Sequence, residues 1–141
     1  LRRLMLNYCK QHDCLLRWLR CYFMLEKEKK NNSIFCKLLL AAEEGKKTFP
    51  FTTGKNKYDF INVDELAHLI SCCVMQKDVN GIINCCKGEP ISLAERVETF
   101  IREHNLDIKL DYGAFPDRPY DSPCEYGNPE KIKAILERAN S

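Results

Sequence analysis

Short apolar segments alternate with segments of helical periodicity along most of the 141 residues, and no other feature constrains the fold as strongly. Apolar residues three and four apart predict helices, and short apolar runs between turn residues predict strands. Strands that alternate with helices are typical of the α/β class, with short parallel strands and packing helices. The predicted helices lie at 1–12, 34–44, 64–74, 92–105 and 128–136, and the predicted extended segments at 15–25, 48–53, 58–63, 82–86 and 108–112.

Polar and glycine residues support these boundaries. A serine, an asparagine or an aspartate before an apolar stripe is typical of a helix start, and a glycine after it is typical of a helix end. The residues interpreted in this way are Ser33 after Asn32, Asp64, Ser92 with Glu95, Asn128 before Pro129, and Gly45. The long proline-containing stretch at 113–126 predicts an irregular loop of functional interest.

The charge of the chain excludes some classes of partner. The formal net charge is only +2, which is too mild to indicate binding to nucleic acid or to an anionic membrane surface. No apolar run approaches the roughly 18 residues that a membrane span needs. We therefore expect neither a nucleic acid nor a membrane as a partner.

Nine cysteines are many for a chain of this length. They include the adjacent pairs Cys72-Cys73 and Cys85-Cys86, and no C-x-x-C spacing occurs. We interpret them as small buried apolar residues of a protein in the reducing cytoplasm. The alternative is a cysteine-rich metal module.

Several segments, in chain order, resemble the extended short-chain dehydrogenase/reductase family, the NAD-dependent epimerases and dehydratases of nucleotide sugars. The run GKNKYDFINVDELA at 54–67 is similar to the family segment G-x-x-x-R-D-F-V-x-V-D-D-L-A. Residues 16–20 resemble the strand after the family's catalytic helix, and 81–92 resemble a strand-to-helix unit. Residues 115–121 resemble the loop that brings an arginine to the nucleotide diphosphate, and 128–136 resemble the closing helix.

The resemblance implies the C-terminal part of an NAD(P)-binding Rossmann-like fold. Residues 1–30 would be the last helix and strand of the Rossmann-like domain, and residues 31–141 would be mostly a substrate-binding subdomain. It also implies a nucleotide-sugar substrate, NAD or NADP as the cofactor of the complete enzyme, and allows a homodimer of that enzyme. In this family a tyrosinate takes a proton while NAD(P) accepts a hydride from the sugar.

The sequence departs from the family pattern in ways that bear on activity. The 141 residues contain neither the glycine-rich phosphate loop nor a Tyr-x-x-x-Lys motif. We therefore expect no catalytic residue, no bound cofactor and no activity for this chain alone. Residues 25–28 read LEKE where the family has Tyr-Gly-x-Gly, and Tyr58 replaces an arginine. These changes favour a second hypothesis, a non-catalytic binding or scaffold protein on the same fold.

Arg118 is the first candidate for contact with a nucleotide sugar. A guanidinium can bind two phosphate oxygens at once, which an ammonium group does less well. The alternative is that Arg118 pairs with Asp117 or Asp121 and only makes the loop rigid.

Four further residues are candidate substrate ligands, each with a structural alternative. Asn32 and Ser33 precede a helix whose free amides favour an anion, although they could form an ordinary N-cap. Lys37, one turn later, could approach the same phosphate or face solvent. Tyr58 could stack on the base or pack under the edge of the sheet.

The remaining titratable residues are interpreted as structural. The histidines at 12, 68 and 104 are scattered, and we interpret His68 as lying on a helix flank without a histidine or cysteine partner at metal-ligand spacing, so we predict no metal site. Asp59 is interpreted as a local hydrogen-bond acceptor and Asp64 as a helix cap, rather than as a catalytic pair of carboxylates.

Overall fold

The computed structural model describes residues 1–25 and 32–139, and these form an α/β protein as predicted. The helices are α1 (Arg2–Gln11), α2 (Ile34–Glu43), α3 (Val63–Met75), α4 (Leu93–Glu103) and α5 (Glu130–Ala139). The strands are β1 (Arg17–Cys21), β2 (Phe23–Leu25), β3 (Thr48–Phe51), β4 (Lys57–Tyr58), β5 (Phe60–Asn62), β6 (Gly81–Cys85), β7 (Ile91–Ser92), β8 (Lys109–Tyr112) and β9 (Cys124–Glu125). In the part of the chain that the structure describes, no helix is long and apolar enough to cross a membrane.

These elements form two compact units, each assembled from separate stretches of chain. The described residues of the first unit are 1–25, 59–89 and 126–139, and those of the second unit are 32–58 and 90–125. The chain passes from one unit to the other between residues 25 and 32, and at 58/59, 89/90 and 125/126. The predicted division at residue 30 into a Rossmann-like part and a substrate-binding part stays a prediction.

The first unit is built on parallel strand pairs. Strand β1 pairs with β6 in register from Arg17 with Gly81 to Cys21 with Cys85, and β2 pairs with β5. Helices α3 and α5 supply the apolar faces that cover this layer. The core consists of the side chains of Ile61, Leu66, Leu69, Cys73, Ile83, Cys85, Ile132 and Ile135.

The second unit has a parallel pair, β3 with β8, and a three-stranded sheet in the order β7-β4-β9. Strand β4 is antiparallel to β7 and parallel to β9. Phe35 of α2 and Phe100 of α4 lie in the interior with their ring centroids 5.1 Å apart. Phe51, at the end of β3, is also fully buried and meets the ring of Tyr112 edge to face.

The predicted helices are confirmed to within a few residues, and two of the predicted strands are each divided. The segment 15–25 forms β1 and β2. The segment 58–63 contributes to β4, which belongs to the second unit, and to β5, which belongs to the first unit. The interpretation of Asp64 as the cap of α3 was wrong: Asn62 is the N-cap, and Asp64 lies in the first turn. Strand β5 leads directly into α3, which leaves no room for a cap at residue 64.

Asp59 separates β4 from β5, and its side chain is completely buried. Its carboxylate accepts hydrogen bonds from the backbone amides of Lys87 at 3.1 Å, Gly88 at 2.8 Å and Gly127 at 3.3 Å. The prediction of an acceptor is therefore confirmed, but the prediction that it acts locally was wrong. Its partners lie 28, 29 and 68 residues away in sequence.

Gly127 can reach Asp59 because it has no side chain. A Cβ atom at this position would lie 2.5 Å from the sulfur of Cys86 and 2.7 Å from the ring of Tyr22. Such distances are too short for real contacts, so any side chain here would push the backbone away from the carboxylate.

We expect Asp59→Asn to lower the free energy of unfolding by about 2–4 kcal/mol, because an amide group offers one acceptor oxygen to three buried donors. Asp111→Asn, at an exposed position of β8, is the matched control and should change stability by less than about 0.5 kcal/mol. Chemical denaturation of both variants measures the difference. Equal stability of the two would show that the three bonds contribute little.

Candidate functional site

The five candidate ligands all belong to the second unit. Asn32, Ser33 and Lys37 lie at the beginning of α2, Tyr58 lies in β4, and Arg118 lies in the loop between β8 and β9. The departure from the family pattern at 25–28 falls mostly outside the described residues, since 26–28 are not among them.

The start of α2 has the geometry of an ordinary N-cap. The hydroxyl oxygen of Ser33 accepts a hydrogen bond from the amide of Cys36 at 3.2 Å, and Ser33 has extended backbone angles. Asn32 and Lys37 are exposed. Ser33 therefore forms an ordinary N-cap. A role for Asn32, Ser33 and Lys37 in binding an anion stays a prediction.

Tyr58 and Arg118 lie on two segments that run side by side. Thr53 is hydrogen-bonded to Asp117, and the side chain of Asn56 donates to the carbonyl of Ser122 at 3.3 Å. Further along, the amide of Lys57 donates to the carbonyl of residue 123, and β4 pairs with β9 so that Tyr58 lies opposite residue 125. The irregular loop predicted at 113–126 is therefore attached along much of its length to residues 53–58.

The side chain of Arg118 is exposed, and among the described residues it has no hydrogen-bond or ion-pair partner. Its carbonyl oxygen accepts a hydrogen bond from the amide of Asp121 at 3.1 Å. Pro119 occupies the second position of this turn, where its restricted φ is favoured. The backbone at Arg118 is thus ordered while its guanidinium remains available to a ligand.

Neither Asp117 nor Asp121 forms an ion pair with Arg118 in the described part of the structure, so the alternative interpretation of Arg118 is not observed. The carboxylate of Asp117 instead accepts two hydrogen bonds from Thr53, one from the amide at 3.1 Å and one from the hydroxyl at 2.6 Å. These hydrogen bonds, together with the charge of Lys55, hold the pKa of Asp117 below its ordinary value. The sequence offered no sign of this pairing, because Thr53 and Asp117 are 64 residues apart.

Gly54 fixes the turn that presents Thr53. Its φ of +66° is in the left-handed region, and a Cβ atom here would lie 2.6 Å from the ring of Phe51 and 2.8 Å from Cβ of Ala94. The carbonyl of Gly54 accepts a hydrogen bond from the amide of Ala94 at 3.0 Å. The turn therefore packs closely on the first residues of α4, and only glycine fits it.

The cysteines do not form a metal centre within the described ranges 1–25 and 32–139, which contain no group of three or more His, Cys, Asp or Glu side chains able to hold an ion. All nine cysteines are free thiols. Burial raises the pKa of Cys85 to about 12 and that of Cys86 to about 11, so both thiols are protonated at neutral pH. Cys36, Cys73, Cys85 and Cys86 are buried and behave as small apolar side chains, as predicted. For the other five cysteines the prediction of burial was wrong: Cys9 and Cys72 are partly exposed, and Cys14, Cys21 and Cys124 are exposed.

Comparison with known proteins places the chain in a family. Residues 1–86 match the NAD dependent epimerase/dehydratase family. The chain belongs to this family. A curated relative, the dTDP-6-deoxy-L-talose 4-dehydrogenase (NAD(+)) of Aggregatibacter actinomycetemcomitans, is 46% identical over 112 residues, which are 79% of this chain and 41% of that protein. A probable UDP-arabinose 4-epimerase 1 of Oryza sativa subsp. japonica is 36% identical over 80 residues, 55% of this chain and 18% of that protein.

Solved structures of nucleotide-sugar enzymes have the same fold. The UDP-N-acetylglucosamine 4-epimerase of Methanobrevibacter ruminantium M1, in complex with UDP-N-acetylmuramic acid, superposes with a TM-score of 0.77 at 19% identity over 94% of this chain and 43% of that one. The UDP-glucuronic acid 4-epimerase of Bacillus cereus, in complex with UDP-glucuronic acid and NAD, gives 0.76 at 17% identity over 96% and 43%. This member of the epimerase/dehydratase family thus spans less than half the length of the relatives that it matches.

In this family member, the hydrogen bonds from Thr53 to Asp117 should depend on pH. A carboxylate with a lowered pKa keeps these hydrogen bonds at neutral pH and loses them as the pH falls through that lowered value. We expect an NMR titration of the Asp117 carboxyl carbon to have its midpoint below the ordinary range of aspartate. Thr53→Val, which removes the hydroxyl donor, should move the midpoint upward, and an unchanged midpoint would contradict the assignment.

Proposed function

We propose that this chain is the nucleotide-sugar-binding part of an NAD(P)-dependent epimerase, dehydratase or reductase. The observation that carries the proposal is the free, exposed guanidinium of Arg118 on an ordered backbone, in a chain of the NAD-dependent epimerase/dehydratase family. The solved relatives that bind UDP-sugars share the fold of this chain and support the same class of ligand.

Arg118 would bind the diphosphate of the nucleotide sugar. Two parallel N–H donors match two phosphate oxygens, and the positive charge offsets the negative charge of the ligand. Tyr58, on the adjacent segment, would contribute its ring to the base or its hydroxyl to a phosphate. Asn32, Ser33 and Lys37 would provide polar donors at the positive end of the α2 dipole.

The residues of this chain do not fit the cofactor. Phosphates of NAD or NADP need a glycine-rich turn after a strand, and none of the six glycines of the sequence provides that spacing. No Tyr-x-x-x-Lys supplies the proton acceptor either. We therefore assign no catalytic residue and no step of hydride transfer to these 141 residues, and place NAD or NADP in the complete enzyme, for which we keep a homodimer as a prediction.

We propose that residues 1–30 belong to a Rossmann-like domain and that most of residues 31–141 form a substrate-binding subdomain. The nine free thiols fit a reducing compartment, which supports a cytoplasmic location. Neither nucleic acid nor a membrane is proposed as a partner.

The purified 141-residue chain should catalyse no hydride transfer. We expect no change in NADH absorbance when it is mixed with NAD and with dTDP-, UDP- or GDP-sugars, because the proton acceptor and the cofactor loop are missing from the sequence. Turnover that scales with the concentration of the chain would refute this expectation.

Arg118→Ala should weaken binding of the nucleotide sugar about ten- to a hundredfold, because hydrogen bonds to charged groups contribute about 1.5–3 kcal/mol. Arg102→Ala is the matched control, since Arg102 is also exposed and belongs to the same unit. Calorimetry with dTDP-glucose and UDP-glucose measures both variants.

The same titration separates the proposal from the alternative. Binding by the unaltered protein that Arg118→Ala weakens and Arg102→Ala does not would support the nucleotide-sugar site. If neither sugar nucleotide gives heat with the folded, unaltered protein, the non-catalytic scaffold hypothesis is favoured instead.

A further inference from the structure

Arg118 is held from both sides of the chain. On its N-terminal side, Asp117 is bonded through both carboxylate oxygens to Thr53. On its C-terminal side, the amide of Asp121 donates a hydrogen bond to the carbonyl oxygen of Arg118 and so closes a turn. Neither restraint involves the guanidinium of Arg118.

The residues on either side of Thr53 are packed against the rest of the second unit. Phe51, which precedes it at the end of β3, is fully buried, and its carbonyl accepts a hydrogen bond from the amide of Phe115 at 3.2 Å. Gly54, which follows it, packs on Ala94 at the start of α4. A hydrogen bond to Thr53 therefore ties the loop to the interior of the second unit, although the bond itself is exposed.

The hydrogen bonds from Thr53 also fix the orientation of the Asp117 carboxylate. A free carboxylate next to an arginine is a competitor for the guanidinium, since the two side chains can form an ion pair. Here both oxygens of Asp117 are occupied by the amide and the hydroxyl of Thr53. An anionic ligand would thus find Arg118 without a carboxylate to displace.

We propose that Thr53 and Asp117 form a positioning pair that orders the Arg118 loop and keeps Arg118 unpaired for a diphosphate ligand. This inference rests on the proposed function, because it assumes that Arg118 binds the nucleotide sugar. Neither residue of the pair needs to touch the ligand. The benefit is preorganisation: a backbone that is already ordered loses less conformational freedom on binding.

The test measures affinity for dTDP-glucose and UDP-glucose by calorimetry in Thr53→Val, which keeps the shape of the side chain and removes its hydroxyl donor. We expect affinity to fall about three- to tenfold, the cost of ordering one mobile side chain and its loop. Thr53→Ser retains the hydroxyl and should restore most of the affinity. Thr48→Val is the matched control, because Thr48 is exposed at the other end of β3.

A double-mutant cycle shows whether the pair acts through Arg118. In the Arg118→Ala background, Thr53→Val and Asp117→Asn should have no further effect on affinity, whereas a general loss of structure would lower it again. Thermal melting should change by only a few degrees in these variants, since the hydrogen bonds that they remove are exposed. Additive losses of affinity, or variants that are unfolded at the temperature of the titration, would overturn the positioning role.

The outcomes separate this inference from the proposed function. If Arg118→Ala weakens binding and Thr53→Val leaves it unchanged, the positioning pair is wrong and the nucleotide-sugar site stands. If neither dTDP-glucose nor UDP-glucose binds, or if Arg118→Ala has no effect, the proposed function fails and the inference fails with it.

Discussion

The organisation of the first unit depends on one buried carboxylate. Asp59 is removed from water and offers its two oxygens to three backbone amides, those of Lys87, Gly88 and Gly127. A buried charge without such donors would be costly, so the three segments that carry the amides must stay where they are. Each of these segments lies within two residues of a point where the chain leaves or enters the first unit. Asp59 therefore holds together three segments within the first unit.

In the second unit, the chain next to these three segments forms the sheet β7-β4-β9. Strand β4 precedes Asp59, β7 follows the segment of Gly88, and β9 precedes that of Gly127. Within the second unit, these strands are ordered by backbone pairing. The loop of Arg118 ends in β9, so its C-terminal end is fixed by this sheet and its middle by the bonds of Asp117 to Thr53. An exposed arginine on a backbone restrained in this way is suited to bind an anion without much reordering.

The helices could be predicted because the signals that specify them lie within a few residues of one another. Apolar spacing locates α2 and α4, and the Ser33 and Ser92 side chains cap their first turns as predicted. Asp64 was misassigned because an acidic residue is favoured both as a cap and in the first turn of a helix, and only the path of β5 distinguishes the two positions. The strands at 15–25 and 58–63 appeared continuous because apolar character alone does not show where a chain changes its pairing partner.

From the sequence by itself came the α/β class, the order of the helices, the resemblance to a nucleotide-sugar family and the choice of Arg118. All of these depend on short-range patterns or on residue type. Only the tertiary structure decided that Asp59 accepts amides from distant segments and that Asp117 binds Thr53, leaving Arg118 unpaired. The physical reason is that hydrogen bonds between residues tens of positions apart depend on how the chain packs, and no local pattern of residues records which donor will meet which acceptor.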